Sequence, residues 1–392
     1  MSVTRRKALT VLGASAASLL TSNVFAAVTL PQAPAVQPLQ VVPCQYPVIE
    51  LSGTPFERGK AYGMAVKEAV RRNIVFYKMI FKTFSNISWE KAMATSKKFL
   101  PYIEKFCPGA IEEMKGVASG ADLPFEEILT LNCRSEIMFA ASDGCTAVAF
   151  LKEQTTGGSV LLGQTWDWFM PARENTCILK IRQEKAPDIL MVAEAGLIGG
   201  KGLNSCGIGL CLNAVSIGSG KEGVPLHLIM RNILNTTLPT EALDCIAHVP
   251  RAGSATLTIG SAEDLVMAVE YSPNEFDVLM AEEEPLAHTN HFLSPLIAPH
   301  DKGKAGPLST YTRLNTVRRK IKKLGKADGL NAIYSLLTSH EFFPESLCYH
   351  EDVRDSGLRA CTIYSMVMDL NSKTLLISNG YPCEGKVSKF SI

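Results

Sequence analysis

The pattern of the chain changes at residue 145, and this change restricts the fold more than any other feature of the sequence. Residues 53–140 are dominated by helical patterns and contain few strand signals. From Cys145 onward, short apolar runs are separated by turns, as in CTAVAFLKE, SVLLGQTWDW and ILMVAEAG, which is typical of antiparallel strands. Helices are predicted to interrupt these strands around residues 224–234, 239–248 and 308–335. Strands and helices that come in groups, without regular alternation, predict an α+β architecture in which helices cover stacked antiparallel sheets.

The helical half begins with clear local signals. Thr54 suits an N-cap, Pro55 suits the first helical position, and Glu57 completes a capping box. Gly59 and Gly63 lie four residues apart on one helix face, where another backbone can approach closely. Further helices are predicted near residues 89–105, 109–118 and 125–140.

The first 26 residues have the pattern of an export signal. A basic start is followed by an apolar stretch and by small residues at the exit. Thr4-Arg5-Arg6-Lys7 is similar to the twin-arginine signal of bacteria, and the apolar stretch is short for a membrane span. We therefore expect a periplasmic or secreted protein without a stable membrane anchor. The proline-rich residues 28–47 are predicted to run extended over the surface.

Composition and charge exclude some partners. The chain is 46% hydrophobic and 20% charged, which is typical of a globular protein with a sizeable core. Its 39 basic and 38 acidic residues give a formal net charge of +1. Such a chain has no electrostatic field to attract phosphate backbones or anionic lipids. We therefore expect no nucleic-acid partner.

The cysteines do not indicate a metal site, although an exported protein can still hold a disulfide or two. The eleven of them are Cys44, Cys107, Cys133, Cys145, Cys177, Cys206, Cys211, Cys245, Cys348, Cys361 and Cys383. They form no CxxC motif and no cluster with histidines at metal-ligand spacing, so the sequence predicts no metal and cysteines that mostly fill the core. The odd number leaves at least one thiol unpaired, and disulfide pairing cannot be read from the sequence.

Adjacent Gly144 and Cys145 permit a specific chemistry. If the bond between them is cut, Cys145 gains an α-amine with an ordinary pKa of about 7.7–8.0, which suits a general base at neutral pH. The nucleophilic thiol and its base then belong to one residue. A glycine before the bond would tolerate a strained backbone that exposes its carbonyl group to the thiol. Such a pair is also common in ordinary turns, so the two residues alone leave both interpretations open.

Five motifs decide between them: DGCTAVAF, QTWDW, EAGLIGGKGLNSCGIGLCLNA, HTNHF and LRACT. In order and spacing they are similar to the penicillin acyltransferase family (acyl-CoA:6-aminopenicillanic acid acyltransferase, peptidase C45), and the likeness extends over about residues 48–392. That family consists of self-processing N-terminal nucleophile (Ntn) hydrolases. The resemblance implies a four-layer αββα fold and cleavage before Cys145. The mostly helical residues 27–144 would remain bound to residues 145–392 as a heterodimer, and 48–144 would share one integrated domain with the larger fragment.

The resemblance also assigns roles to individual residues. Cys145 would be the nucleophile and new N-terminus, and Asp167 of QTWDW would orient its α-amine. Asn290 of HTNHF would donate a side-chain N–H to the oxyanion. Arg359 of LRACT would supply positive charge near the thiol. Without the resemblance, a structural carboxylate that caps a turn is the alternative for Asp167.

Three other residues are candidate supporting residues. Ser272 of EYSP matches a serine that the family uses less centrally, and the other two are Thr146 and Arg134. An ordinary exposed ion pair is the alternative for Arg134 and Glu136. The sequence departs from the family pattern where Asn, Ser and Gly are usual, namely at Thr165, Leu358 and Ala360. These departures affect contacts with substrate more than the cleavage chemistry.

The implied reaction is cleavage or transfer of an acyl group at a small-molecule amide bond. No cofactor is expected, and a coenzyme A thioester enters only as a co-substrate of acyl transfer. An exported enzyme meets water and small amines more often than acyl-coenzyme A, which favours hydrolysis. Two rival functions remain: a papain-like cysteine peptidase that pairs Cys145 with His288 or His291, and a binding protein that has kept only the fold. The two histidines also raise the alternative of a metal pair.

Overall fold

The described part of the chain, seen in a computed structural model, comprises residues 32–138, 144–218, 220–302, 308–352 and 357–392. The expected export signal, residues 1–26, lies outside it. Residues Ala33–Ile392 form one compact unit. Among the described residues, no helix is both long and apolar enough to cross a membrane. Eight of the eleven cysteines are buried, as the sequence predicts.

Seven α-helices in the described residues before Cys145 confirm the predicted helical half. They are α1 Pro55–Ala65, α2 Lys67–Ile80, α3 Trp89–Ser96, α4 Leu100–Phe106, α5 Pro108–Ala121, α6 Phe125–Asn132 and α7 Arg134–Met138. The predicted helix 89–105 is divided into α3 and α4 by a short 3-10 turn at Lys97–Phe99. The predicted helix 125–140 is likewise divided into α6 and α7, with Cys133 between them.

Helix α1 packs against α5 through glycines. Thr54 and Glu57 form the predicted capping box at its start. A Cβ atom added at Gly59 would collide with the carbonyl oxygen of Glu113, and one at Gly63 would collide with that of Val117. The predicted close approach at Gly59 and Gly63 is therefore confirmed, with α5 as the partner.

Two sheets form the centre of the molecule. The first has the order β1 (Gln40–Val41), β15 (Lys386–Ser391), β14 (Thr374–Ser378), β13 (Ala360–Asp369), β4 (Leu161–Phe169), β3 (Gly144–Phe150) and β12 (Leu286–His288). The second has the order β11 (Phe276–Met280), β10 (Leu265–Tyr271), β9 (Ala255–Ser261), β8 (Ile208–Asn213), β7 (Lys201–Asn204), β6 (Ile189–Glu194), β5 (Thr176–Ile181) and β2 (Val48–Leu51).

The edge strands correct the prediction of purely antiparallel sheets. Strand β1 pairs with β15 in parallel, and β2 pairs with β5 in parallel. Residues 28–47 were predicted to be only a surface segment, but Gln40–Val41 lie in the first sheet. The part of the chain before Cys145 therefore contributes one edge strand to each sheet.

The layers follow the order helix, sheet, sheet, helix. Strands β3 and β4 face β8 and β9 of the second sheet, and a Cβ atom at Gly260 would lie only 2.5 Å from Leu162 Cδ1 of the first sheet. Helices α10 (Ser309–Leu324) and α11 (Gly329–Leu337) cover the first sheet, and α8 (Leu226–Leu234) and α9 (Pro239–Ala247) cover the second. The αββα architecture is confirmed. The predicted helix 308–335 is two helices, because α10 ends at Gly325, whose φ of 68° interrupts it.

Candidate active site

Strand pairing places the proposed scissile bond beside Asp167. In the β3–β4 ladder, Gly144 is opposite Asp167 and Cys145 is opposite Trp166. On the other side of β4, Thr362 of β13 is opposite Asp167. Cys145 is 0% exposed and Asp167 is 1% exposed. A buried carboxyl group therefore lies next to the residue that would donate the acyl group in self-cleavage.

Position 144 requires a glycine because a larger residue would collide with the Asp167 side chain. A Cβ atom at this position would lie 2.8 Å from both Cβ and Oδ2 of Asp167, a separation that real Cβ atoms do not tolerate. From the sequence, we expect a glycine here because it tolerates a strained backbone. Gly144 instead belongs to the extended strand β3, so this expected reason is wrong. The glycine lets the Asp167 side chain lie against the backbone at the Gly144–Cys145 bond.

The carboxyl group of Asp167 is held in place by β13. The Thr362 hydroxyl donates to Asp167 Oδ1 at 2.6 Å, and the Tyr349 backbone N–H donates to the same hydroxyl oxygen at 2.8 Å. Asp167 lies in the middle of β4 and not at a turn. The alternative of a turn-capping carboxylate is therefore wrong.

Asn290 contacts the backbone of Cys145 directly. Its Oδ1 accepts from the Cys145 N–H at 2.8 Å, and its Nδ2 donates to the Ala214 carbonyl oxygen at 3.0 Å. The Thr310 hydroxyl accepts from the Asn290 backbone N–H at 2.8 Å. Through its oxygen, Asn290 therefore holds the nitrogen of the proposed scissile bond. An amide NH₂ carries two N–H donors, so Nδ2 can keep Ala214 and still offer one N–H to an oxyanion.

The two histidines of HTNHF stabilise the loop that carries Asn290. His288 is fully buried, with Nε2 at 2.6 Å from Glu270 Oε1 and Nδ1 at 2.7 Å from the Thr289 carbonyl oxygen. Both ring nitrogens therefore have an oxygen partner, one on β10 and one in the loop itself. His291 Nδ1 lies 2.8 Å from the Thr310 hydroxyl, and burial lowers the pKa of His291 to about 4. These contacts give both rings a structural role in the loop.

Arg313 is the residue of the site that the sequence analysis missed. It projects from α10, is 4% exposed, and donates from Nη1 to the Cys145 carbonyl oxygen at 2.6 Å and to Thr146 Oγ1 at 3.1 Å. Its Nη2 donates to Asn290 Oδ1 at 2.9 Å. One guanidinium group thus fixes the carbonyl side of Cys145, the predicted supporting residue Thr146, and the side chain that holds the Cys145 nitrogen.

Comparison with known proteins identifies the family to which this arrangement belongs. The model of the family described as acyl-coenzyme A:6-aminopenicillanic acid acyl-transferase matches residues 154–382, more than half of the chain. The 40 kDa form of acyl-coenzyme A:6-aminopenicillanic-acid-acyltransferase of Emericella nidulans is 30% identical over 346 residues, which cover 85% of this chain and 92% of that protein. The chain belongs to the acyl-coenzyme A:6-aminopenicillanic acid acyl-transferase family. Membership makes it an enzyme of the Ntn type, an acyltransferase or acylase.

Other relatives of this acyltransferase family member are more distant. Protein dcd1A of Dictyostelium discoideum is 25% identical over 266 residues, 57% of this chain and 58% of that protein. Among solved structures, the penicillin V acylase of Agrobacterium tumefaciens is 12% identical with a TM-score of 0.45 and covers 63% of this chain and 86% of its own. A mutant of the conjugated bile acid hydrolase of Clostridium perfringens is 12% identical with a TM-score of 0.43, over 63% and 92% of the two chains.

In this acyltransferase family member, the predicted residues Arg359 and Ser272 lie next to the ends of strands. Arg359 directly precedes β13, is partly exposed, and has Nη1 at 3.8 Å from Glu351 Oε2. Ser272 caps the turn after β10, since its hydroxyl oxygen accepts from the backbone N–H groups of Asn274 and Glu275. These contacts give Ser272 a structural role in the turn, while Arg359 lies at the end of β13 nearest Asp167.

Arg134 forms a buried ion pair and not the exposed one considered from the sequence. Its Nη2 lies 2.5 Å from Glu194 Oε1, and Tyr77 donates to Glu194 Oε2 at 2.6 Å. Glu136 accepts from the Leu226 backbone N–H at 2.8 Å, and burial raises the pKa of Glu136 to about 7. Both side chains therefore attach α7 to the part of the chain that follows Cys145.

Proposed function

We propose that the chain cuts its own Gly144–Cys145 bond and that Cys145 then acts as the N-terminal nucleophile of an amide hydrolase or acyltransferase. The main support is the set of groups around that bond. Asn290 holds its nitrogen, Arg313 holds the carbonyl group of Cys145, and Asp167 lies opposite Gly144. Family membership supports the same chemistry.

Self-cleavage proceeds by an acyl shift within the chain. The Cys145 thiol loses its proton and attacks the carbonyl carbon of Gly144, the C–N bond breaks, and the nitrogen takes up a proton. The product is a thioester between Gly144 and the Cys145 sulfur. Water then hydrolyses the thioester, leaving a carboxylate on Gly144 and a free amine and thiol on Cys145. Asn290 and Arg313 keep the nitrogen and the carbonyl group of Cys145 fixed while the bond between Gly144 and Cys145 is broken.

Cleavage also opens the site. Cys145 is 0% exposed in the uncut chain, so a substrate amide cannot reach the thiol before the surroundings of Cys145 rearrange. The uncut chain is therefore an inactive precursor. After the cut, the Cys145 amine is already beside Asn290 Oδ1 and the Asp167 strand, where it can accept the thiol proton.

In turnover, the thiol attacks the carbonyl carbon of an acyl amide. The tetrahedral oxyanion accepts a hydrogen bond from the N–H of Asn290 Nδ2. The leaving amine then takes the proton held by the Cys145 α-ammonium group and departs. The acyl thioester is released by water, or by a second amine in acyl transfer. Acyl transfer from a coenzyme A thioester is the alternative, and the name of the Emericella nidulans relative favours it.

The two fragments are expected to stay together as a heterodimer. Residues 32–138 supply β1 to the first sheet and β2 to the second. Across the cut, Glu113 forms a buried ion pair with Arg231 at 2.9 Å, and Arg134 forms one with Glu194. Separation of the fragments would remove an edge strand from each sheet and would take Arg231 and Glu194 away from their buried ion-pair partners, which is costly in a buried environment.

The site of action is proposed to be the periplasm or the cell exterior. The basis is the export signal at residues 1–26, with Arg5 and Arg6 as its twin arginines. That pathway carries folded proteins, so the chain would fold and cut itself where its thiols are kept reduced. Replacing both arginines by lysine should retain folded enzyme in the cytoplasm, and normal export of this variant would contradict the route.

The function is tested by trapping the acyl-enzyme. Wild type, Cys145→Ala and the control Cys206→Ala, which alters an exposed cysteine, are incubated with a panel of acyl amides and acyl-coenzyme A thioesters. The expected result is a mass increase equal to the acyl group on residues 145–392 of wild type and of the control only. Acylation of Cys145→Ala would contradict the proposal by excluding Cys145 as the nucleophile. Acylation of an uncut wild-type chain would also contradict it and would favour the papain-like cysteine peptidase.

A further inference from the structure

A second cluster of reactive side chains lies outside the proposed active site. It contains His340, Cys348, His350 and Cys383, whose ligand atoms all lie within 4.8 Å of one another. The first three belong to the segment after α11, and Cys383 belongs to a 3-10 turn at Pro382–Glu384 before β15. The sequence analysis predicted no metal site because no cluster was visible in the spacing. Cys383 lies more than thirty residues after the other three in the sequence, and the fold places it beside them.

The contacts converge on His350. Its Nε2 lies 3.1 Å from His340 Nε2, 3.3 Å from Cys348 Sγ and 3.5 Å from Cys383 Sγ. An imidazole nitrogen has either one N–H or one lone pair, so it cannot satisfy three partners by hydrogen bonding. In a tetrahedral zinc site, Zn–N bonds of about 2.0–2.1 Å and Zn–S bonds of about 2.3 Å place neighbouring ligand atoms about 3.3–3.8 Å apart. The observed distances are close to those of such a shell.

The rings and backbone around the cluster are held in this orientation. The His350 ring stacks on Tyr381 at a centroid distance of 4.3 Å, and the His340 ring meets Phe343 edge to face at 5.9 Å. The Cys348 N–H donates to the Ser339 carbonyl oxygen at 3.1 Å. Cys348 and Cys383 are 0% and 3% exposed. The ligand set is thus preorganised and its sulfur atoms are shielded from solvent.

We propose that His340, Cys348, His350 and Cys383 bind one zinc ion in a tetrahedral Cys₂His₂ site. Nitrogen and sulfur ligands in this combination select zinc, and four protein ligands leave no open position for a substrate, so the site is structural. Each thiol that is protonated releases its proton when the ion binds.

The zinc site would stabilise the position of Asp167. Tyr349 lies between two of the ligands, and its N–H donates to the Thr362 hydroxyl at 2.8 Å while its carbonyl oxygen accepts from the Thr362 N–H at 2.8 Å. The same Thr362 hydroxyl donates to Asp167 Oδ1. This positioning effect rests on the proposed function, whereas the metal site itself does not. Zinc removal should therefore slow self-cleavage without abolishing the fold of the sheets.

The first test is the metal content of the full chain purified without chelators from zinc-supplemented medium. Elemental analysis should find about one zinc per chain in wild type and less than about a tenth of that in Cys383→Ser and His350→Gln, because three ligands bind zinc far more weakly than four. The matched controls Cys206→Ser and His248→Gln alter an exposed cysteine and an exposed histidine and should keep the metal. The uncut Cys145→Ala variant should also keep it, which separates this proposal from the proposed function.

The second test needs no variant that could misfold. Reduced wild type is stripped with a chelator and titrated with Co²⁺, and the absorption spectrum is recorded. Tetrahedral cobalt with two thiolates should give intense visible bands and a sulfur-to-metal charge-transfer band, both saturating at about one ion per chain. Absence of zinc together with absence of these bands would overturn the proposal. A Cys348–Cys383 disulfide in the native protein, lighter by two hydrogen atoms in peptide mapping, would overturn it too.

Discussion

The guanidinium group of Arg313 donates to the carbonyl oxygen of Cys145 at 2.6 Å, although the two residues are 168 positions apart. The same group reaches Asn290 Oδ1 at 2.9 Å, so it connects the two ends of the proposed nucleophile. A buried arginine with this role is expected to organise the peptide before cleavage and to keep the new N-terminus in place afterwards.

Replacing Arg313 by methionine should slow self-cleavage. A hydrogen bond to a charged group contributes about 1.5–3 kcal/mol, which corresponds to roughly a 10- to 150-fold change in rate if it is lost in the transition state. The measurement is the time course of fragment formation on denaturing gels. Arg319→Met on the same helix is the control, since Arg319 is exposed and pairs with Glu341. Equal rates for Arg313→Met and wild type would remove Arg313 from the mechanism.

Replacing Gly144 by alanine should impair cleavage by displacing Asp167. The added Cβ atom would lie 2.8 Å from Asp167 Cβ and Oδ2, so the carboxyl group must move away from the scissile bond. Gly157→Ala is the matched control, because a Cβ atom there has no neighbour within 4 Å. The uncut fraction of each protein is measured by intact mass after purification. Complete cleavage of Gly144→Ala would show that the space beside Asp167 is not required.

Asn290→Ala should reduce turnover more than substrate binding. Loss of one oxyanion donor typically costs on the order of 10²–10³ in kcat, while KM should change little. The variant also loses the acceptor of the Cys145 N–H, so the assay uses the fraction that has been cut, with exposed Asn331→Ala as control. An unchanged kcat in cut Asn290→Ala would exclude the oxyanion role.

His291 should make stability depend on pH in the acid range. Burial lowers the pKa of His291 to about 4 in the folded state, whereas the unfolded chain has the ordinary value of about 6.5. Between these values the unfolded state binds more protons, so the free energy of unfolding rises with pH from about 4 to about 6.5. When urea midpoints are plotted against pH over this range, wild type and His291→Gln should therefore have different slopes. Exposed His248→Gln should retain the wild-type slope, and an identical slope in His291→Gln would refute the assignment.

The apolar patterns predicted stacked sheets covered by helices, because such patterns depend on local residues. The αββα order and the grouping of Cys145, Asp167 and Asn290 came from the resemblance to the family. Arg313 was missed because α10 carries six basic residues, and residue type does not show which of them points inward. The parallel edge strand Gln40–Val41 was missed because its pairing partner lies at the opposite end of the chain. Long-range pairing of this kind leaves no mark in local sequence patterns.

The central claim is self-cleavage before Cys145, and intact mass spectrometry combined with N-terminal sequencing of the purified wild-type protein tests it most directly. The account predicts two chains that elute together, the larger comprising residues 145–392 and beginning Cys-Thr-Ala-Val. It predicts a single chain for Cys145→Ala, with Cys206→Ala cut like wild type. A single uncut chain in an active wild-type preparation would contradict the account.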